Sequence, residues 1–232
     1  MLLLASSAAT LLAVDAPNPW FNPGYIRDNS DTLAAALQEH VILTVSAVVI
    51  GALLALPLAV LARRSATISA SILSGSTILY TIPSLAMFAF LAPITGLEFR
   101  TVVIGLALYS LVILVRNFLA GLQGVPAEVR EAALGMGYGP ARMLVQVEMP
   151  MALPTFFAGL RIATVSTVAL ATVGVIIGFG GLGNVLISGF NNNFFRGPIA
   201  TAAVLCVVLA LAFDLLLALS ARLLTPWSRG RS

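Results

Sequence analysis

Five apolar runs dominate this chain, and they are too long for a soluble surface to hide. Val41 to Ala62 carries no charge, and neither does Ser65 to Leu97, whose core as a span is Ile72 to Ala92. Thr101 to about Gly121 carries Arg116, the run from Pro150 to about Gly178 carries Arg161, and about Pro198 to Leu223 carries Asp214. As helices rising about 1.5 Å per residue, each can cross about 30 Å of hydrocarbon. Lipid offers no partner to a free N–H or C=O, so these segments must be helical. The apolar–polar alternation of a barrel strand is missing. Hydrophobic residues make up 59% of the 232 and charged residues 9%, where a soluble domain carries about 25% charged. The expected fold class is an all-α integral membrane protein with about five transmembrane helices.

The placement of arginine sets the expected topology. Arg63 and Arg64 follow the first run, Arg130 and Arg142 lie between the third and fourth, and Arg222, Arg229 and Arg231 end the chain. Five spans put all seven on one side, against Arg27, Arg100 and Arg196 on the other. The positive-inside bias then places the N-terminus outside and the C-terminus in the cytoplasm. Three regions follow: an extracytoplasmic tail (1–38), a transmembrane domain (39–225) holding a cytoplasmic loop (122–150), and a cytoplasmic tail (226–232). Met1 to Val14 is apolar but short for a span and lacks the basic start of a secretory signal. It reads as a frayed or interfacial segment or an overlong start. Trp20, Phe21 and Tyr25 suit a tail leaning on headgroups, and Thr32 to Glu39 leads helically into the first span. His40, at the mouth of that span, is expected at the interface. Cys206 stands alone, so there is no intrachain disulfide and no cysteine metal cluster.

The loop is polar and patterned. Pro126 and Glu128 suit the first turn of a helix, and Gly135 and Gly137 its stop. Pro140 opens a second short helix with Met143, Leu144 and Val147 on one stripe. Pro150 is expected to block its clean continuation and to start the fourth span. Two short helices joined by a glycine elbow follow. Ala132 and Ala133 are small enough for a partner to come close, and Glu131 offers a charge. The physics alone leaves two readings open, a docking element and an amphipathic loop lying on the membrane.

Glu131-Ala132-Ala133, three residues, Gly137, nine residues, then Val147-Glu148-Met149-Pro150 resembles the EAA signature of permease subunits of bacterial binding-protein-dependent ABC importers, every fixed position being met. The resemblance runs from about Leu37 to Thr225. It implies a MetI-like type I permease whose loop fits a cleft on a cytoplasmic ATPase. Glu131, Ala132, Ala133, Gly137, Val147 and Pro150 are then the ATPase-coupling residues. Tyr80-Thr81-Ile82-Pro83-Ser84-Leu85 and Arg161 to Ser166 most resemble osmoprotectant permeases of the glycine betaine/carnitine/choline type. Gly178 to Gly183, followed by Leu-Ile-x-x-Gly, resembles those and the methionine permeases.

Pro83 frees a carbonyl and bends its helix, which serves as a packing kink or, with Ser84, as part of a gate. Gly178 to Gly183 formally contains GxGxxG, but it follows a membrane helix rather than a strand, and a ribose-binding acid is missing at the right distance. It reads instead as a flexible break, with Gly180, Gly181 and Gly183 as pathway or gate candidates. A short amphipathic or re-entrant piece follows from Asn184 to Phe190. The intramembrane charges Arg116, Arg161 and Asp214 are expected to be structural, with Asp214 pairing Arg161 or Arg222. A substrate contact at Asp214 stays open.

The chain has no lysine, hence no GxxxxGK[ST] loop, and no nucleophile–base constellation. It is expected to be a transport subunit rather than an enzyme, binding no metal or cofactor itself, with ATP and Mg on a partner. Expected partners are cytoplasmic ABC ATPase subunits, a second permease subunit, identical or related, an extracytoplasmic substrate-binding protein and membrane lipid, with no nucleic acid. The expected place is the bacterial cytoplasmic membrane. The expected cargo is glycine betaine, choline or carnitine. The alternatives are a methionine-type amino-acid importer and an ion-coupled secondary transporter, the latter disfavoured because no internal repeat is visible.

Overall fold

The computed structural model describes residues 18–227, and the expectations for Met1 to Val14 and for residues 228–232 lie outside the described residues. Asn22 caps the short helix α1 (Pro23–Asp28), its side chain accepting from the Tyr25 N–H at 3.0 Å. The first apolar run becomes α2 (Ser30–Ala62), which takes in the expected lead from Thr32 to Glu39. The second becomes α3 (Ala66–Thr81) and α4 (Ser84–Thr95), and the third α5 (Phe99–Gln123). The loop forms α6 (Ala127–Gly135) and α7 (Pro140–Met143). A π-helical segment (Leu144–Glu148), α8 (Met149–Ala171) and a 3-10 segment (Thr172–Ile177) come next. α9 (Leu182–Asn191) and α10 (Arg196–Leu224) complete the described chain.

Packing gives the direction of each passage. Near His40, Leu43 and Ala47 of α2 meet Val102 and Leu106 of α5. Near Arg63, Ala55, Ala59 and Ala62 meet Leu111 to Leu122. These two helices are therefore parallel. α8 runs the opposite way, with Ala152 and Phe156 at the Arg63 end and Ala171 at the His40 end. α10 starts at the His40 end, where Ala202 packs with Leu33 and Val185. Since α2 and α5 both run from the His40 end to the Arg63 end, the segment between them must cross the bundle once in return. The described residues thus make five passages, and the first and last of those passages begin at the same end of the bundle, the His40 end.

That returning passage is not the single span expected around Ile72 to Ala92. α3 and α4 meet at 94°. Pro83 has no N–H to continue the ladder, and it holds Ile82 extended at φ −68°, ψ 124°. The Ile82 carbonyl freed by the break accepts the Tyr109 hydroxyl from α5. α5 is the most enclosed helix, 72% of its apolar window being buried, against 11% for α10. α5 is the axis of the bundle, and α10 gives most of its surface to lipid or to another chain.

The glycine run is a packed re-entrant turn, which corrects the expectation of a flexible break. Gly181 has φ +54°, and a Cβ there would lie 2.7 Å from the Cβ of His40. A Cβ on Gly183 would lie 2.3 Å from the carbonyl oxygen of Thr172. Glu39 Oε1 accepts the Gly181 N–H at 3.1 Å. His40 Nδ1 accepts the Leu182 N–H at 3.3 Å, and its Nε2 lies 2.9 Å from the Val168 carbonyl. A carbonyl only accepts, so the ring is neutral with its proton on Nε2. His40 is fully buried, which corrects its expected interfacial place: the helix it was expected to open starts ten residues earlier in the chain, at Ser30, and α9 folds over it.

Of the two partners available to Asp214, the structure joins Arg161. Arg161 Nε and Nη2 donate to the two carboxylate oxygens at 2.7 Å each, the fork geometry that suits a guanidinium. Arg116 Nη2 instead donates to Thr77 Oγ1 at 2.6 Å, tying α5 to α3.

Two predictions follow from this packing. His40→Ala leaves the Leu182 N–H and the Val168 C=O unpaired, a cost of about 1–3 kcal/mol each. It should lower the melting temperature of the purified protein by several degrees, as should Gly183→Ala, while Gly135→Ala, with open space around it, leaves it unchanged. Arg161→Leu or Asp214→Leu alone should cut the folded yield several-fold, and the double variant should recover much of it. Strict additivity in that cycle would remove the pair as a structural unit.

Candidate functional site

The cytoplasmic loop of the sequence reading folds into two parts with different roles. α6 ends in a reciprocal backbone cap: the Gly137 N–H reaches the Leu134 carbonyl at 2.9 Å and the Tyr138 N–H the Ala133 carbonyl at 3.0 Å. This cap needs a left-handed residue, and Gly137 supplies it at φ +80°. Gly137 is exposed, and a side chain there would meet open space.

Glu131 and Ala132 are exposed beside it, but Ala133 is 2% exposed and turned into the loop's own packing. This corrects the expectation that both alanines face a partner: at about 3.6 residues per turn, adjacent positions point about 100° apart. The outward face instead gains two apolar residues that the sequence reading left out, Leu134 and Met136, 61% and 67% exposed. Val147 and Pro150 are half-buried.

Pro150 does not interrupt the helix. The stretch Pro140–Ile177 is one helical run of 38 residues. The Met149 N–H bonds the Leu144 carbonyl, five residues back. That wider π turn makes room for the Pro150 ring, which would clash with a carbonyl four residues back in an α-helix. The loop's second half is therefore continuous with the fourth passage, in place of the expected block and fresh start at Pro150, while the expected glycine elbow lies between α6 and α7.

Glu148, in the π turn, is the site residue most fully missed from sequence. It is 3% exposed. Its carboxylate accepts from Arg63, at the end of α2, and pairs with Arg130 Nε of α6 at 3.4 Å. Arg130 Nη2 also caps the end of α5 through the Leu122 carbonyl at 2.6 Å. The available signal was a single acid flanked by Val147 and Met149, apolar positions that face inward.

The other candidates lie apart from this loop. Pro83 is exposed and Ser84 half-buried at the α3–α4 bend, while Gly180, Gly181 and Gly183 are buried in the re-entrant turn at the His40 end. α4 links the two places, since its Phe88, fully buried, packs with Val102 and Ile177.

Residues 32–226 match the family model described as binding-protein-dependent transport system inner membrane component. The osmoprotectant import permease protein OsmW of Salmonella typhimurium is 36% identical over 207 residues, covering 87% of this chain and 96% of that protein. The choline transport system permease protein OpuBB of Bacillus subtilis is 34% identical over 202 residues, covering 87% and 93%. A carnitine transport permease protein OpuCD of Listeria monocytogenes is 33% identical, covering 87% and 91%. Among solved structures, the inward-facing MetNI methionine ABC transporter superposes with a TM-score of 0.79 at 20% identity, covering 85% of this chain and 98% of that one. An amino acid ABC transporter solved with histidines gives 0.72 at 23% identity, covering 85% and 96%. At those identities the structures speak for the fold, a MetI-type importer permease, and the sequence matches for the family. This chain belongs to the inner-membrane components of binding-protein-dependent transport systems.

Proposed function

We propose that this chain is the permease of an ATP-driven importer for quaternary-amine compatible solutes, choline, carnitine or glycine betaine. The observation that carries the cargo is the set of relatives whose names specify choline, carnitine, osmoprotectants or glycine betaine/carnitine/choline together, matched over 87% of the chain. Cytoplasmic ATPase subunits holding ATP and Mg drive it, a second permease subunit completes the pathway, and an extracytoplasmic binding protein delivers the solute. The arginine-rich Arg63 end is cytoplasmic, by the positive-inside bias. The N-terminus then lies outside and the C-terminus inside.

The geometry supports a mechanical role for the loop. Glu131, Ala132, Leu134, Met136 and Gly137 form the face offered to the ATPase. ATP-driven closure of two ATPase subunits pulls that face, and the unbroken run from Pro140 to Ile177 carries the displacement to the re-entrant turn at the far end. A helix of that length spans about 57 Å at about 1.5 Å per residue, more than the hydrocarbon core, so one helical run reaches from beside the docking face to the outer side.

The test is reconstitution with the ATPase and binding protein in vesicles, and ATP-dependent uptake of labelled choline, carnitine and glycine betaine. Failure to import any of the three sinks the cargo reading. Gly137→Asp should insert and melt within a few degrees of the wild type, since Asp is strained at φ +80° but tolerates the left-handed region better than most residues. It should nonetheless abolish uptake by placing a charge in the docking face, and uptake at the wild-type rate would overturn the assignment of that face.

A further inference from the structure

We propose that Glu148 is a positioning residue that makes the docking helix, the first passage and the fourth passage move as one body. The inference rests on the permease reading above and adds to it the part that joins the loop to the bundle.

Three strands of geometry meet at this carboxylate. Arg63 sits at the end of α2, 85 residues away in sequence, and donates to one oxygen. Arg130 belongs to α6, the docking helix, and faces the other oxygen at 3.4 Å. Glu148 itself closes the π turn that leads into α8. Arg130 further holds the last turn of α5 through Leu122. One acid thereby collects four helical elements at the Arg63 end.

The burial of the cluster argues against mere surface decoration. The Glu148 side chain is 4% exposed, against 24% and 36% for the two arginines. A buried ion cluster adds little net stability, because desolvation offsets most of the attraction. It does restrict geometry, since the carboxylate cannot leave one arginine without exposing a buried charge. α6 makes few other contacts with the bundle: Ala133 is its one buried residue. The loop helix is short and buries a single residue, so packing alone would let it slide relative to α2 and α8. The ionic joint supplies the stiffness that packing lacks.

Two cations on one acid also explain why the joint holds as a whole. Removing Arg63 leaves Glu148 with Arg130, and the docking helix stays attached to α8 while α2 is released. Removing Glu148 releases both.

The test uses the full transporter with its ATPase and binding protein in vesicles, with solute uptake and ATP hydrolysis measured on the same preparation. Glu148→Gln keeps shape and removes the charge. It should leave binding-protein-stimulated hydrolysis within about twofold of wild type and raise the ATP spent per solute by roughly tenfold. Glu148→Asp, which keeps the charge, should restore most of the wild-type ratio. A purely structural role would lower uptake and hydrolysis together through loss of assembled protein. If Glu148→Gln does not assemble, Arg63→Gln replaces it, since the acid then keeps a partner, and the ratio should rise there too.

Spin labels on the exposed Glu128 and Leu61 positions give a second readout. Their separation should stay constant on ATP binding in the otherwise wild-type protein and change in the variant. A wild-type ratio of ATP to solute in whichever variant assembles overturns the proposal. A wild-type transporter that imports none of the three solutes fails the permease reading's cargo instead, and the two failures are thus distinct.

Discussion

Every backbone N–H and C=O inside the bilayer must find a partner in the protein, and this requirement decides where the bundle can be irregular. At three of the places where the described chain leaves regular α-helix, the freed groups have a dedicated solution. At the Ile82–Pro83 break, the Tyr109 hydroxyl from α5 meets the freed carbonyl. At Pro150, a π-type bond from Met149 to Leu144 bridges the gap within the chain itself. At the glycine turn, Glu39 and His40 from α2 receive two N–H groups that open α9. The irregular places are therefore not loose. They are where one helix has been built to complete another, and two of the three solutions use residues of α2 or α5, the parallel pair on which the bundle is centred.

The same accounting governs charge. A lone charge near the bilayer centre costs roughly 2.5–3.5 kcal/mol on insertion scales, and apart from Arg116, which donates to the Thr77 hydroxyl, the buried and intramembrane ions described above come in sets. Arg161 and Asp214 fix α8 to α10 through a two-point fork. α10 needs it, because it has so little buried surface of its own. Arg63, Arg130 and Glu148 do the equivalent work at the end of the bundle, where the helices stop and dispersion contacts thin out. The two sets hold opposite kinds of element: the first pins a peripheral helix along its length, the second gathers helix ends.

The sequence carried the local features and not the long-range ones. Five apolar runs, the lead from Thr32 into the first passage, the left-handed stop at Gly137 and the short helix after the glycine run are all decided by neighbours a few residues away, and each was legible. The angle at Pro83 was not: proline guarantees a bend, but its size depends on how Tyr109 and Phe88 take up the two arms. Pro150 misled for a related reason. Proline forbids the ordinary α bond but permits a π turn, and the choice between stopping and widening is made by what the helix ends pack on. His40 and Glu148 were hidden because their partners lie 142, 128, 85 and 18 residues away. Ala133 was misplaced because a three-letter motif says nothing about which side of a helix faces in. Here the resemblance to EAA permeases was informative about the loop and silent about its orientation residue by residue.

The distribution of stiffness follows from these contacts and bears on how displacement can travel. The run from Pro140 to Ile177 is helical throughout, although Pro150 and Pro154 donate no bond within it, and is anchored by Arg161 at its middle and by His40 at Val168. A push at its loop end cannot be absorbed within it. α3, by contrast, buries only Ser76, and α4 only Met87 and Phe88. A protein element with few buried contacts opens at low cost, so the bent second passage is the compliant part of the bundle. Its hinge at Ile82–Pro83 is held by one side-chain hydroxyl, and its far arm touches the glycine turn through Phe88 and Ile177. A stiff passage and a yielding one thus converge on the same turn at the His40 end. Displacement delivered along the stiff one has to be taken up by the yielding one, because α5, enclosed on nearly all sides, has nowhere to move.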